Sequence, residues 1–403
     1  MTGGLRVFLW FPLLIWIGGC PDSAESVPQR EHESAVPSVE SAARTVGAAA
    51  SPRPPRLHKS ARVTSPRAKK SPTDKPPAVE SRADESSADE SSAGSSVSPW
   101  SSRQACLRSL VHRPVAAPGP VRLATYNVKW FPDGKPGKKA PPQGGTDLVW
   151  LACVIAHLDV DALAVQEFKT SARAGESLRQ VLDQLNAFTD GSWHAVFDEC
   201  PQKDVQHVGV MWNSARVKAS DARTLGELNP HGLPCKDALR PGLQVALQWV
   251  HRTPLLFSSV HFKSGSQARS FGLRSRTFEA LVSAVDWKGS VIVAGDFNTM
   301  GCRACAVEMD AMTERRQRAE VLKGKGISLV PAEAGCSLYY RGAPQLLDGF
   351  ALSADLKAAT VTTAGICGDA HCATRRGLEQ SQATRALSDH CPLVLEISAP
   401  PTQ

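Results

Sequence analysis

The sequence predicts an α/β sandwich preceded by a long unfolded N-terminal segment. Three observations lead there. From residue 120 onward, short apolar runs alternate with stretches whose apolar residues recur at helical spacing. Polar residues cluster where those apolar runs end: Asn127, Glu167, His261, Asp296 with Asn298, Asp348, and, just before the last run, Asp389 with His390. In an α/β protein, that is where a site forms. Composition also breaks near residue 105. The stretch from 21 to about 105 holds most of the Ser, Pro, Ala and Glu runs and almost no aromatics. Such a segment cannot bury enough apolar surface to offset its ordering entropy. The rest of the chain, on the order of 285 residues, is long enough for one large core.

The elements follow in order. Val121–Asn127 reads as a strand, and residues 130–145, rich in Gly, Pro and Lys, as a loop. Leu148, Leu151, Ala152, Ile155 and Leu158 mark a helix. Ala162–Val165 is a buried strand running into Gln166 and Glu167, and Leu178, Val181, Leu182 and Leu185 mark a second helix. Val208–Trp212, Leu243–Val250 and Leu255–His261 read as strands, and Ser270–Val285 as a helix. Val291–Ala294 is a continuous apolar strand leading into Gly295-Asp296-Phe297-Asn298. Glu308–Leu322 is helical, and Leu346–Leu352 and Pro392–Ile397 are the closing strands. No heptad, no long-period repeat and no apolar run of membrane-spanning length is present, which excludes coiled coil, solenoid and multi-span membrane protein.

Residues 1–19 read as an export signal. Arg6 precedes the apolar stretch Val7–Ile17, too short to span a bilayer and of the length of a signal-peptide core. It ends in Ile17-Gly18-Gly19-Cys20, which is similar to a bacterial lipobox, where the cysteine is acylated and becomes the mature N-terminus. Acyl chains contribute about 0.8 kcal/mol per buried methylene, so two or three of them anchor firmly. The expected organisation is a lipid anchor at Cys20, a tether over 20–105 and a folded domain over 118–399, outside the cytoplasm in a bacterial cell envelope. The other ten of the 11 cysteines suit an oxidising compartment and disulfides. The alternative is a zinc site from Cys302 and Cys305 with Cys367 and Cys372. Cys153 and Cys391 lie in apolar runs that also suit free core thiols.

Charge is uneven along the chain. Residues 1–100 hold 12 Lys/Arg against 11 Asp/Glu, and residues 101–403 hold 34 against 28. The folded part carries the basic excess, which suits a phosphate-bearing partner without naming one. The strand-end clusters narrow the choice. Thr125-Tyr126-Asn127, Gln166-Glu167, Ser259-Val260-His261, Gly295-Asp296-Phe297-Asn298, Leu347-Asp348 and Ser388-Asp389-His390 together resemble, in order, the motifs of the endonuclease/exonuclease/phosphatase superfamily, the deoxyribonuclease I and exonuclease III group. The resemblance covers about residues 120–398. It implies a four-layer α/β sandwich, two packed mixed sheets flanked by helices, and magnesium-dependent phosphoester hydrolysis, with Mn2+ or Ca2+ as further candidates.

Residue chemistry points the same way. Magnesium prefers carboxylate oxygen and keeps several waters. Glu167 is the best ligand, and Asn127, Asp389 and Asp296 complete its site or a second one. The resemblance implies that Asp296 and Asn298 position the attacking water or the developing phosphorane. It gives His390 a contact to the scissile phosphate or the role of general base, with Asp348 fixing its tautomer. His261 is a candidate acid or phosphate donor, but the acidic partner found in deoxyribonuclease-type enzymes has no clear match here.

Residues around these carry weaker signals. Lys263 and Arg274, with Arg269 and Arg276, follow His261 and are candidates to grip substrate phosphates; a solvated helix face is the plain alternative. Lys135, Lys138 and Lys139 follow Asn127. Trp130, Phe131, Tyr339 and Tyr340 are candidates to stack bases, although core packing is the commoner fate of aromatics. The expected protein is a membrane-tethered, monomeric nuclease that cleaves DNA or RNA with little sequence preference, since no base-reading module accompanies the phosphate chemistry. The alternative from the same motifs is a phosphodiesterase or phosphatase for lipid or inositol headgroups, which calls for an exposed apolar hairpin. A binding module without catalysis is the reading from another class, and the intact motif set argues against it.

Overall fold

The computed structural model describes residues 97–110, 119–135, 145–229, 239–250, 252–330, 332, 335–356 and 359–397. Cys20 and residues 1–96 lie outside the described residues, as do Lys138, Lys139 and Cys235. α1 (Arg103–Ser109) precedes β1 (Val121–Phe131), and α2 (Leu148–Leu158) crosses over to β2 (Ala162–Phe168), parallel to β1. α3 (Ala172–Phe188), β3 (Trp193–Phe197), β4 (His207–Asn213), β5 (Lys218–Leu225), β6 (Gly242–Gln248) and β7 (Leu255–His261) follow. α4 (Ala268–Ala284) is the second crossover, to β8 (Val291–Asp296), parallel to β7. Then come α5 (Ala311–Lys323), β9 (Ser328–Val330), the hairpin β10 (Leu338–Tyr340) and β11 (Ala343–Gln345), and β12 (Asp348–Leu352). β13 (Ala359–Thr363), α6 (Gly365–Asp369), α7 (Gln382–Ala386) and β14 (Leu393–Ile397) close the domain.

One six-stranded sheet has the order β13-β14-β1-β2-β4-β3, and the other β5-β6-β7-β8-β12-β9. Each contains one parallel pair, because parallel neighbours need a crossover and a helix supplies it. Strands of both sheets meet in one apolar core, with Leu123, Ala164 and Leu395 from the first packing with Val245, Phe257 and Phe350 from the second. Trp150, Leu151, Ile155, Val181 and Leu185 of α2 and α3 cover the outside of the first sheet. Phe278, Leu281 and Leu322 of α4 and α5 cover the second. The expected four-layer α/β sandwich is therefore the observed one.

Three local expectations change. Residues from Trp100 to Ala105, read as the end of the tether, pack onto the domain: Trp100 and Ala105 are buried, and the next residue, Cys106, is buried and disulfide-bonded to Cys153 of α2. The strands β3, β5 and β13 are not expected from the sequence: β3 (WHAVF) is short, and β5 and β13 carry few apolar residues. β5 (KASDARTL) is an edge strand exposed along most of its length, so nothing demands apolar residues there. The zinc alternative fails, because Cys302 is bonded to Cys305, Cys336 to Cys372 and Cys367 to Cys391. Cys200 is also disulfide-bonded. Cys153 and Cys391 are thus paired rather than free thiols.

Candidate active site

Strand register gathers the polar clusters. In β1 and β2, Asn127 lies opposite Gln166. In β7 and β8, His261 lies opposite Asp296, and β12 starts with Asp348 opposite Asp296 on the other side. Asn127 Nδ2 donates to Asp296 Oδ2 across the two sheets at 3.2 Å. The ends of the central strands therefore meet at one rim. Gly295 makes the close approach of β7 and β8 possible. Its φ is +154°, and a Cβ there would lie 2.0 Å from the Val260 carbonyl oxygen. Glu167 and Asn298 have left-handed backbones, φ 64° and 50°, a conformation uncommon for residues with a side chain. At Glu167 it coincides with a register shift against β4, so the carboxylate departs from the strand's alternation.

The side chains form one connected network. Glu167 Oε1 accepts from Asn127 Nδ2 at 3.3 Å, and Oε2 accepts from the Trp130 backbone N–H at 3.1 Å. His261 Nε2 is 3.3 Å from Asp296 Oδ2 and 3.8 Å from Glu167 Oε1. The Asn298 N–H donates to Asp296 Oδ1, and its Nδ2 donates to the Phe262 carbonyl. His390 Nδ1 is 2.8 Å from Asp348 Oδ2, and its Nε2 is 3.9 Å from Asp296 Oδ2. Ser388 Oγ donates to the Asn127 carbonyl and accepts from the His390 N–H, which ties the histidine loop to β1. Ser337 Oγ accepts from the N–H groups of Leu347 and Asp348, which sets the start of β12.

Electrostatics separates the two histidines. Burial opposes charge on His390, but Asp348, Asp296 and Asp389 outweigh it and push its pKa up to about 10. His261 lies well below its ordinary value, through burial first and then Arg240, His390 and Lys263, so it is neutral. Asp296 is raised to about 7 by burial and by the neighbouring Asp348. Among the described residues, the ion partners within 4.0 Å of Glu167, Asp296 and Asp348 are histidines, not lysine or arginine. Asp348 Oδ1 and His261 Nδ1 are buried and have no hydrogen-bond partner among the described residues.

The network unites Asn127, Glu167, His261, Asp296, Asn298, Asp348 and His390. Asp389 stands apart from it. Its carboxylate pairs with Lys129 Nζ at 3.2 Å and is half-exposed, while Asp296, Asp348 and His390 have ligand atoms within 4.8 Å of one another. Arg274 is a correction. It is fully buried, bonds both oxygens of Glu314 and donates to the carbonyls of Lys263, Gly265 and Gly301. No donor is left for substrate, so Arg274 holds α4, α5 and two rim loops together. Lys263 stays accessible, among Arg240, Arg269 and Lys135. Of the four aromatics, Phe131 and Tyr339 are buried, Trp130 is partly exposed and Tyr340 is exposed. Sequence reasoning missed Arg240. Its guanidinium donates to the carbonyls of His261 and Phe262 and to Gln206, and it feels the charges of Glu167 and Asp296. It sits just before β6, in Arg240-Pro241-Gly242, with no periodic pattern to mark it.

No family model matches the chain, and no curated protein does. Solved structures do resemble it. It is similar to an endonuclease/exonuclease/phosphatase from Bacteroides vulgatus at 12% identity over 70% of this chain and all of that one, with a TM-score of 0.46. It is similar to the human Nocturnin catalytic domain with bound sulfate at 16% identity over 72% of this chain and all of that one, TM-score 0.44. A third is D. rerio TDP2 complexed with a single-strand DNA product, at 14% identity over 70% of this chain and 99% of that one, TM-score 0.46. At such values these likenesses bring no chemistry to the chain.

Proposed function

We propose that the protein is a divalent-cation-dependent phosphodiester hydrolase acting on nucleic acid. The observation that carries this is the His390–Asp348 dyad facing Asp296, with Asn127, Glu167 and His261 in the same network. Oxygen donors dominate, and their carboxylates have no lysine or arginine partner among the described residues. That donor set fits a hard cation such as magnesium. Glu167, with Asp296 beside it, would hold it, and when bound it would supply charge stabilisation to the phosphoryl oxygens.

The chain's own groups do the rest. Asp348 fixes the His390 ring through Nδ1, leaving Nε2–H of the charged ring to donate to a phosphate oxygen as negative charge develops there. Asp296, its affinity for protons raised by burial, accepts the proton of the attacking water. Asn298 acts through Asp296 by holding Oδ1. Neutral His261 stands with Nε2 3.3 Å from Asp296 Oδ2, where it orients that carboxylate. Lys263 and Arg240 bring positive charge to the rim, which supports a polyanion over a single headgroup. In this reading the apolar segment and Cys20 export the enzyme and anchor it by lipid to a cell envelope, where it acts as a tethered monomer. The test is the full chain with magnesium against plasmid DNA, RNA and sphingomyelin vesicles. Nicking that stops in EDTA supports the proposal. Sphingomyelin hydrolysis without nicking at low salt would transfer it to the lipid-headgroup reading.

A further inference from the structure

Beside the dyad lies a cavity of about 410 Å³ that the hydrolytic mechanism does not use. Its walls combine the apolar surfaces of Met300, Met309 and Leu338 with the Tyr340 ring, Ser266 and Gln345 add hydrogen-bonding groups, and the exposed Arg303, Glu308 and Asp310 complete the lining. Two of these residues tie it to the chemistry. Leu338 forms a backbone bridge with His390, and Met300 lies two positions beyond Asn298. The volume is within the roughly 300–1,000 Å³ of small-ligand sites.

The wall is built before any ligand arrives. Met309 and Cys302 exchange both backbone hydrogen bonds, at 2.8 and 2.9 Å, and Cys302 is bonded to Cys305. Glu314 accepts from the Gly301 N–H, and Arg274 donates to its carbonyl. The Arg303 N–H donates to the Ser266 carbonyl and the Gly265 N–H to Met300 Sδ, joining this loop to the one that carries Lys263. A rigid wall lowers the ordering cost of binding. Tyr340 is 51% exposed, with the Arg341 guanidinium 5.2 Å from its ring centre, whereas its neighbour Tyr339 is buried with its hydroxyl bonded to the Ala373 carbonyl.

The geometry points to a nucleobase subsite: the cavity takes the base of the nucleotide whose phosphate lies at the dyad, with Tyr340 stacking on it and Gln345 and Ser266 meeting its edge. This rests on the nucleic-acid reading above. A planar heterocycle whose edge carries both donors and acceptors matches an aromatic and thioether wall with a carboxamide, a hydroxyl and charges of both signs at Arg303, Glu308 and Asp310. Stacking on an aromatic contributes about 1–3 kcal/mol per base and tolerates any sequence, in keeping with an enzyme that carries no base-reading module.

The experiment compares binding of thymidine 5′-monophosphate and deoxyribose 5-phosphate to the full chain with magnesium, by titration calorimetry. The base should tighten binding roughly 5- to 150-fold. Tyr340→Ala should abolish that advantage and leave deoxyribose 5-phosphate unchanged, and Tyr340→Phe, which keeps the ring, should retain it. Equal binding of the two ligands to the unaltered chain, or equal weakening of both by Tyr340→Ala, overturns the subsite alone. If neither ligand binds, the nucleic-acid reading falls with it.

Discussion

His390 stands among three carboxylates, and its charge state governs what it can offer a phosphate. Burial alone would discharge it, but Asp348, Asp296 and Asp389 hold its pKa up to about 10. The sign follows from the direction. The folded value lies above the ordinary 6.5, so the charged ring's contribution to stability is complete below about 6.5 and is lost as pH climbs through 10. NMR titration of the cation-free protein should show His390 still protonated at pH 8, while His261 stays neutral. Asp348→Asn removes the largest upward influence and leaves burial, so His390 should then titrate far lower. Turnover in Asp348→Asn should fall on the order of 10²–10⁴-fold, as expected when an oriented acid–base group is lost. A His390 signal that titrates near 6.5 in the unaltered protein would sink this account of the dyad.

At the scale of elements, the helices and disulfides that hold the rim matter more than any single ligand. Arg274 of α4 and Glu314 of α5 form a fully buried pair. Removing one partner of such a pair leaves an uncompensated buried charge and costs about 3–5 kcal/mol. Arg274→Ala should therefore lower the chemical-denaturation midpoint sharply, whereas Lys263→Ala should leave it alone and weaken DNA binding. The opposite pattern would return Arg274 to the substrate surface. The dyad is likewise bracketed. Cys391 follows His390 and is bonded to Cys367, and Cys336 precedes Ser337, which sets Asp348, and is bonded to Cys372. The Cys391 N–H donates to the Ser337 carbonyl at 2.7 Å, so the two bonds share one frame. Reducing them should cost about 2–4 kcal/mol each and should lower turnover even at temperatures where the domain stays folded. Unchanged turnover in protein whose thiols are shown by mass spectrometry to be free would refute this.

For the whole molecule, charge and attachment set the expectations. The folded part carries the basic excess. DNA affinity should thus fall linearly on a log–log plot against salt, by about 0.9 per phosphate neutralised. Charge reversal at Lys263 should reduce that slope and affect all sequences alike; salt-independent binding would argue against a polyanion. Separately, Cys20→Ser should move the protein from the membrane fraction to the soluble one, and identical partitioning of both forms would remove the anchor.

Much of the core and site was legible along the chain because parallel central strands are continuous apolar runs, and the residue where each run stops is visible. Val291–Ala294 running into Asp296 is of this kind, as is Ala162–Val165 running into Glu167. Edge strands such as β5 bury little, so burial left no pattern to read. Lys263 and Arg274 look equivalent in sequence, since both are cations just after His261; only the packing of α4 against α5 drives one inward to Glu314 and leaves the other at the rim. Cysteine count indicated pairing but not partners, which depend on which loops the fold brings together. The sequence by itself determined the layered α/β class and the seven residues of the site network, because local burial patterns and strand ends are covalently encoded. Only the tertiary structure decided that Asp389 pairs with Lys129, that Arg274 is internal, and that Arg240 and Tyr340 border the site. Each of these depends on contacts between segments far apart in the chain, and no local periodicity records them.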